Sequence, residues 1–338
     1  MNSWLRRLMF SLSRLHAYWI QGVYTYGVLL FCCGLYGQGS MYSFQDYKMG
    51  TAFEIKIFTE DTSDIYAAVQ AAWHRIDEVN DIFSDYSTTS ELYFLQHQHG
   101  MPTRVSPIFS ELLSTSLSYS RCSRGVFDVT VGSLSRLWRR AIKMNELPSK
   151  SRIDTALKYV GFDKIKFEGT TITIPDGVLL DFGAIAKGFA VDEAVSVLRS
   201  KGFSAMMVDG GGDLYVGDAP TGSDGWKVLV TLQLKNRTWI DTTMDLTNKA
   251  IVTSGDRFKF ILDAKGRIFS HIIDPHTGYG IPGPHQTTVI ASTAMHADAL
   301  ATSISILCPG KIRQFRRRWR KAFPLDDSNW TYFKSKLK

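Results

Sequence analysis

The 338-residue chain is predicted to adopt an α+β fold of mixed, largely antiparallel sheets with helices. Short segments of alternating apolar and polar residues, separated by turn residues, read as hairpins. Longer segments carry apolar residues at helical spacing. Strands and helices do not alternate with the regularity that a doubly wound parallel sheet needs. A hydrophobic share of 44% and an aromatic share of 12% suffice for one large core or two closely joined subdomains.

The elements follow in chain order. Residues 1–36 combine Arg6, Arg7 and Arg14 with an apolar and aromatic run from Ala17 to Tyr36, the layout of an export signal. Its tail, L29-L-F-C-C-G34, resembles a bacterial lipoprotein signal, with Cys33 preferred over Cys32 as the lipidated residue; a retained membrane anchor or cleavage near Gly39 are the alternatives. All three put the body outside the cytoplasm, where a disulfide between Cys122 and Cys308 is permitted and two buried free thiols are equally compatible. Residues 37–47 read as a linker and 48–309 as the folded body.

The body opens with a half-buried strand over Met49–Phe58, then an amphipathic helix over about 63–83 in which Ile65, Val69, Ala72, Ile76 and Val79 share a face. After the loop F83-S-D-Y-S-T-T-S-E-L92, helices at about 108–122 and 132–141 bracket G125-V-F-D-V-T-V131. A hairpin over 165–174 leads to V178-L-L-D-F182, predicted as a buried strand that breaks at Gly183 before a helix over about 185–200. Strands are predicted at 205–208, 226–232, 250–253, 258–262, 268–273 and 286–291, and a helix over about 295–307 closes the body. Residues 310–338 are a basic C-terminal extension.

The net charge of +7 sits at the two ends of the chain, because the stretch before Asp46 has no acid and R316-R-R-W-R-K321 lies in the extension. The middle is net acidic, which argues against a nucleic-acid groove through the body. The terminal cations suit anionic lipid or an acidic partner, or are simply a solvated helix face.

Three segments carry chemistry. Asp298 and Thr302 lie four residues apart in the last helix, so their oxygens share one face. Carboxylate and hydroxyl, completed by a backbone carbonyl, waters and phosphate oxygens, form a set that Mg²⁺ favours; alone, the pair is equally an ordinary polar helix face. D181-F-G-A-I-A-K-G188 runs through a tight turn into a helix N-terminus that favours phosphate, with Lys187 one turn in and the Ala184 carbonyl able to face a cation. As an isolated motif it is also a plain strand-to-helix junction. In S270-H-I-I-D-P-H-T-G278, His271 and Ile273 share a strand face, and His271 is a candidate general base or a structural histidine. Tyr86 can stack on a flat ring, and G210-G-G212 either lets a ligand approach or turns the chain.

These segments resemble, in order, the ApbE family of FAD:protein FMN transferases. The likeness covers about Met49–Leu307: M49-G-T, F83-S-x-Y86 with Ser90 and Glu91, G125-V-F-D-V-T-V-G132 with Leu137 and Trp138, D181-F-G-A-I-A-K-G-F-A-V-D192, T253-S-G255, S270–G278 and A297-D-A-L-A-T302. It implies an ApbE-like, T-fold-like architecture with an FAD cleft between the subdomains. It implies Mg²⁺ on Ala184, Asp298 and Thr302, and FAD contacts from Met49, Tyr86, Gly125, Val126, Phe127, Asp181, Lys187 and Ile272, with His271 as catalytic base. The implied reaction joins FMN to a threonine of an acceptor protein and releases AMP; an FAD pyrophosphatase and a non-catalytic flavin-binding lipoprotein are the alternatives. The implied acceptor is a subunit of a membrane redox complex of the sodium-pumping NADH:quinone reductase type, and the implied location is the periplasmic face of a bacterial inner membrane. Two positions depart from the family pattern: Asp209 stands where Asn precedes the glycines, and Gly280 where Pro is common.

Overall fold

A computed structural model describes residues 39–233, 238–255, 259–263, 265–283, 285–323 and 329–334. The expected export signal, including Cys32 and Cys33, lies outside the described residues. Among those described, no helix is long and apolar enough to cross a membrane.

The first half contains β1 (Ser40–Lys48), β2 (Thr51–Thr59), α1 (Ile65–Phe83), α2 (Glu91–Leu95), β3 (Thr103–Arg104), α3 (Pro107–Ser123), α4 (Gly132–Met144), α5 (Lys150–Leu157), β4 (Lys166–Glu168) and β5 (Thr171–Thr173). The second contains α6 (Ala186–Ser200), β6 (Met206–Asp209), β7 (Asp213–Val216), β8 (Trp226–Gln233), β9 (Trp239–Leu246), β10 (Lys249–Gly255), β11 (Phe260–Leu262) and β12 (Ile268–Ile273). It ends with β13 (Gly280–Pro282), β14 (Gln286–Ala291), α7 (Ala294–Ile306), α8 (Pro309–Ala322) and β15 (Thr331–Lys334).

Seven strands form the main sheet in the order β1-β2-β6-β7-β10-β14-β15, and every pairing in it is antiparallel. The period of two sends Ile55, Ile57, Val208, Tyr215, Val252 and Val289 into the principal core, which also takes the buried faces of α1, α6 and α7. Met207, Val216 and Ile251 point the other way, where the β8–β9 hairpin covers them with Trp226, Val228 and Val230. Leu134, Trp138 and Ala141 of α4, Ile153 of α5 and Ile261 of β11 form a second core beside the β11-β12-β13 sheet. The fold is thus the expected α+β type.

Three expectations need correction. Most of the supposed linker 37–47 is β1, paired with β2 along its whole length. The turn between them, Met49-Gly50, has positive φ at both residues (48° and 78°), the conformation a two-residue hairpin turn requires. As an edge strand β1 buries little, which weakens its hydrophobic signature. Second, 178–182 is not a ladder strand. Val178, Leu180 and Phe182 are buried, but the segment makes a single isolated bridge, Leu179 with Val131, flanked by Gly132 N–H to Leu179 O (3.0 Å) and Asp181 N–H to Val129 O (2.7 Å).

Third, the basic extension is part of the body. Helix α8 buries Ile312, Phe315 and Trp319 in the principal core, Arg316 and Arg318 are half-buried against Trp330 O and Cys122 O while its other cations are exposed, and β15 completes the main sheet. Each such apolar side chain stabilises the fold by roughly 1.5–3 kcal/mol. Both body cysteines are free: Cys122 is buried, its thiol pushed up to about 11 by burial, while Cys308 is exposed.

Candidate functional site

Helices α6 and α7 meet where Gly188 faces Ala294. A Cβ on Gly188 would lie 2.4 Å from the Ala294 carbonyl oxygen, so glycine sets this approach. Asp192, one turn further along α6, accepts from the N–H groups of Ala294 and Met295 (both 2.8 Å) and so ties α6 to the α7 N-terminus. Thr293 caps the same helix by accepting from His296 N–H at 3.2 Å.

This packing puts Asp298 beside the first turn of α6. Asp298 is 6% exposed, its carboxylate accepts from Gly188 N–H and lies against that of Asp213, and its Oδ2 is buried with no hydrogen-bond donor among the described residues. Burial pushes its pKa well above the carboxylate range and neighbouring Asp213 adds to this, while Lys187 and the Gly188 N–H oppose it. Lys187 Nζ lies 2.7 Å from Asp213 Oδ2 and 3.4 Å from Gly210 O. Burial opposes the Lys187 charge, but Asp213, Asp298 and Asp209 outweigh it and hold its pKa above the ordinary value. One lysine therefore faces more carboxylate than it can neutralise.

An orphaned carboxylate oxygen in a pocket of surplus negative charge fits a small hard cation. Thr302, one turn beyond Asp298, is half-buried and its hydroxyl makes no hydrogen bond to the protein among the described residues. Its neighbours Ser303 and Ser305 instead donate back to Ala299 O and Ala301 O. Ala184 is half-buried in the turn before α6. Among the described residues no group of three or more His, Cys, Asp or Glu could hold a metal.

A second group surrounds Asp181. Its Oδ1 accepts from Gly183 N–H (2.7 Å), which shapes the turn, and its Oδ2 lies 2.9 Å from Arg139 Nη2. The same Nη2 donates to Asp85, and the guanidinium carbon is 4.8 Å from the centre of the Tyr86 ring. Tyr86 is 79% exposed and open to a stacking partner.

A third group joins the turn after α3 to the turn after β12. Arg124 and Gly125 both take left-handed conformations, with φ of 61° and 77°. His276 Nε2 contacts Arg124 O at 3.0 Å, which brings the Gly125–Phe127 stretch to the D274-P-H-T-G278 turn. On β12, Ser270 and Ile272 are buried while His271 and Ile273 are half-buried, the alternation expected; His271 Nδ1 is 3.1 Å from Lys259 O. Helix α7 packs on this strand. Met49 sits in the β1–β2 turn, and Thr51 of β2 lies against Gly211. Asp209 takes on the turn of that loop: its carboxylate accepts from Gly212 N–H at 2.8 Å and from Gly211 N–H.

Asp213, Arg139, Asp85 and Asp192 do not stand out in the sequence as site residues. The signal for Asp213 is its place at the end of the glycine run, and for Asp192 its fall one turn after Gly188; Arg139 and Asp85 carry none.

An antiparallel sheet backed by α1, α6 and α7, with the N-terminus of α6 held against a buried carboxylate of α7, defines an α+β protein with a polar site at the α6–α7 contact. The chain belongs to the ApbE family, whose model matches residues 49–323. It is 29% identical over 266 residues to an FAD:protein FMN transferase of Vibrio cholerae, covering 77% of this chain and 79% of that protein. It is 28% identical over 306 residues to an FAD:protein FMN transferase of Haemophilus influenzae, covering 85% and 87%. The solved flavin transferase ApbE from Vibrio cholerae superposes with a TM-score of 0.73 at 25% identity, covering 88% of this chain and 97% of that one.

Proposed function

We propose that this chain is an Mg²⁺-dependent FAD:protein FMN transferase that joins FMN through a phosphoester to a threonine of an acceptor protein and releases AMP. The observation that carries the reading is the buried Oδ2 of Asp298, without a hydrogen-bond donor among the described residues, beside Lys187 at the N-terminus of α6. Family membership and the relatives' activity support it.

When bound, Mg²⁺ supplies charge neutralisation to the diphosphate, held by Asp298, the Thr302 hydroxyl and the Ala184 carbonyl. Lys187 adds a fixed positive charge, kept in place by Asp213. The threonine oxygen attacks the FMN-side phosphorus, the bond to the bridging oxygen breaks, and that oxygen leaves with AMP. His271 takes the hydroxyl proton. Met49, Tyr86, Gly125, Val126, Phe127, Asp181 and Ile272 orient the rest of FAD, so rate enhancement comes from in-line positioning and charge stabilisation. The acceptor is a subunit of a membrane redox complex, of the sodium-pumping NADH:quinone reductase type. The enzyme is anchored through lipidated Cys33 at the periplasmic face of the inner membrane.

Incubation with FAD, Mg²⁺ and a threonine-bearing acceptor domain, followed by a fluorescent denaturing gel, tests the reading. Covalent flavin on the acceptor supports it. Free FMN and AMP with no labelled protein would make the chain a pyrophosphatase, and intact FAD a binding protein.

A further inference from the structure

We propose that Arg139 is a positioning residue for the flavin ring, holding Tyr86 and Asp181 in one fixed arrangement; this rests on the transferase reading above. Arg139 follows Trp138, whose indole is buried in the second core and donates to Gly278 O at 2.8 Å, so the helix that carries the guanidinium is anchored. From there Arg139 Nη2 reaches two carboxylates from distant parts of the chain, Asp85 after α1 and Asp181 before α6. Without the cation these acids would face each other as like charges.

The guanidinium also braces Tyr86. It lies over the ring at 4.8 Å, a cation–π distance, and it is the ring's only such contact among the described residues. A ring that is 79% exposed has few other restraints, so its readiness to stack depends on this arginine. The Arg139 Nε and Nη1 make no hydrogen bond to the protein among the described residues, since both its ion pairs use Nη2. They remain as donors beside Tyr86. A flavin ring carries two carbonyl oxygens to accept from such donors and a wide tricyclic face to stack; adenine offers single ring nitrogens and a smaller face. The geometry therefore selects for the isoalloxazine half of FAD and leaves the ADP half to the α6–α7 site. A lysine cannot replace this role, because an ammonium between the two acids neither lies flat over a ring nor keeps planar N–H donors free beside it.

The test is equilibrium binding of FAD, FMN and ADP, each with Mg²⁺, to the full chain and to Arg139→Ala and Arg139→Lys, with thermal melts of each variant. Arg139→Ala is expected to weaken FAD and FMN about tenfold or more and to leave ADP within about twofold. Arg139→Lys, which keeps a charge between the acids and so protects the fold, is expected to weaken FAD and FMN severalfold with a wild-type melt. Equal weakening of all three ligands, loss confined to ADP, or unchanged FAD and FMN binding in Arg139→Lys would each overturn the proposal. A wild-type chain that binds none of the three would remove the flavin reading itself, and this role with it.

Discussion

Lys187 and Asp213 form an ion pair with Nζ and Oδ2 2.7 Å apart, joining the first turn of α6 to the start of β7. Asp213 is 4% exposed and also neighbours Asp298, so it positions the lysine and shapes the charge around the candidate cation ligand. Asp213→Asn keeps the shape and removes the charge. It is expected to weaken Mg²⁺ binding in the presence of FAD by about 10–100-fold, as supporting partners of metal ligands do. Calorimetric titration with Mg²⁺ checks this; unchanged affinity would confine Asp213 to a structural role.

Thr302→Val removes one half-buried hydroxyl from the face of α7 that carries Asp298 and leaves the volume nearly unchanged. Because that hydroxyl has no protein partner among the described residues, the melt should shift little. The Mg²⁺ concentration needed for half-maximal FAD turnover should rise by about tenfold or more. A magnesium activation curve reads the difference.

Gly188→Ala places a methyl 2.4 Å from the Ala294 carbonyl oxygen and 2.8 Å from the Met295 Cα, both backbone atoms that cannot rotate away. Helices α6 and α7 must separate, at a cost of about 1–3 kcal/mol. A lowered thermal midpoint together with weaker Mg²⁺ binding is expected, since the same contact holds Asp298 against α6.

Lys334 of β15 donates to the carbonyls of Ile304 (2.7 Å), Ser305 (3.0 Å) and Leu307 (2.7 Å), satisfying the C-terminus of the helix that bears Asp298 and Thr302. Burial lowers its pKa to about 8, below its value in the unfolded chain. Between those two values the unfolded chain holds the proton and the folded chain does not, so this group's contribution to stability rises with pH across the window. The melting gap between the wild type and Lys334→Met should widen between about pH 7 and about pH 9.5, on the order of 1 kcal/mol. A gap that narrows would contradict the burial of this ammonium.

Much of this fold is legible because local patterns agree with it. Helices α1, α3 and α6 repeat their apolar residues at helical spacing, and α7 is an unbroken run without Gly or Pro. The four-residue spacing of Asp298 and Thr302 is enough by itself to put two candidate ligands on one helix face. Helix α8 is hidden by its cations, although Ile312, Phe315 and Trp319 recur at three and four residues. The apolar run 178–182 imitates a strand, because a buried extended segment and a ladder strand share one signature. Arg139 with Asp85 and Asp181 is invisible, since the partners lie 54 and 42 residues apart and nothing local marks a long-range ion pair.

The central claim is covalent transfer, and the most direct measurement is mass spectrometry of an acceptor domain after incubation with FAD, Mg²⁺ and either the wild-type chain or His271→Ala. The wild type is expected to add FMN through a phosphoester to one threonine, with AMP released in equal amount, and His271→Ala to lower the rate by about 10²–10⁴-fold. An unmodified threonine with FAD consumed or untouched, or full labelling by both His271→Ala and Asp298→Ala, would contradict the account.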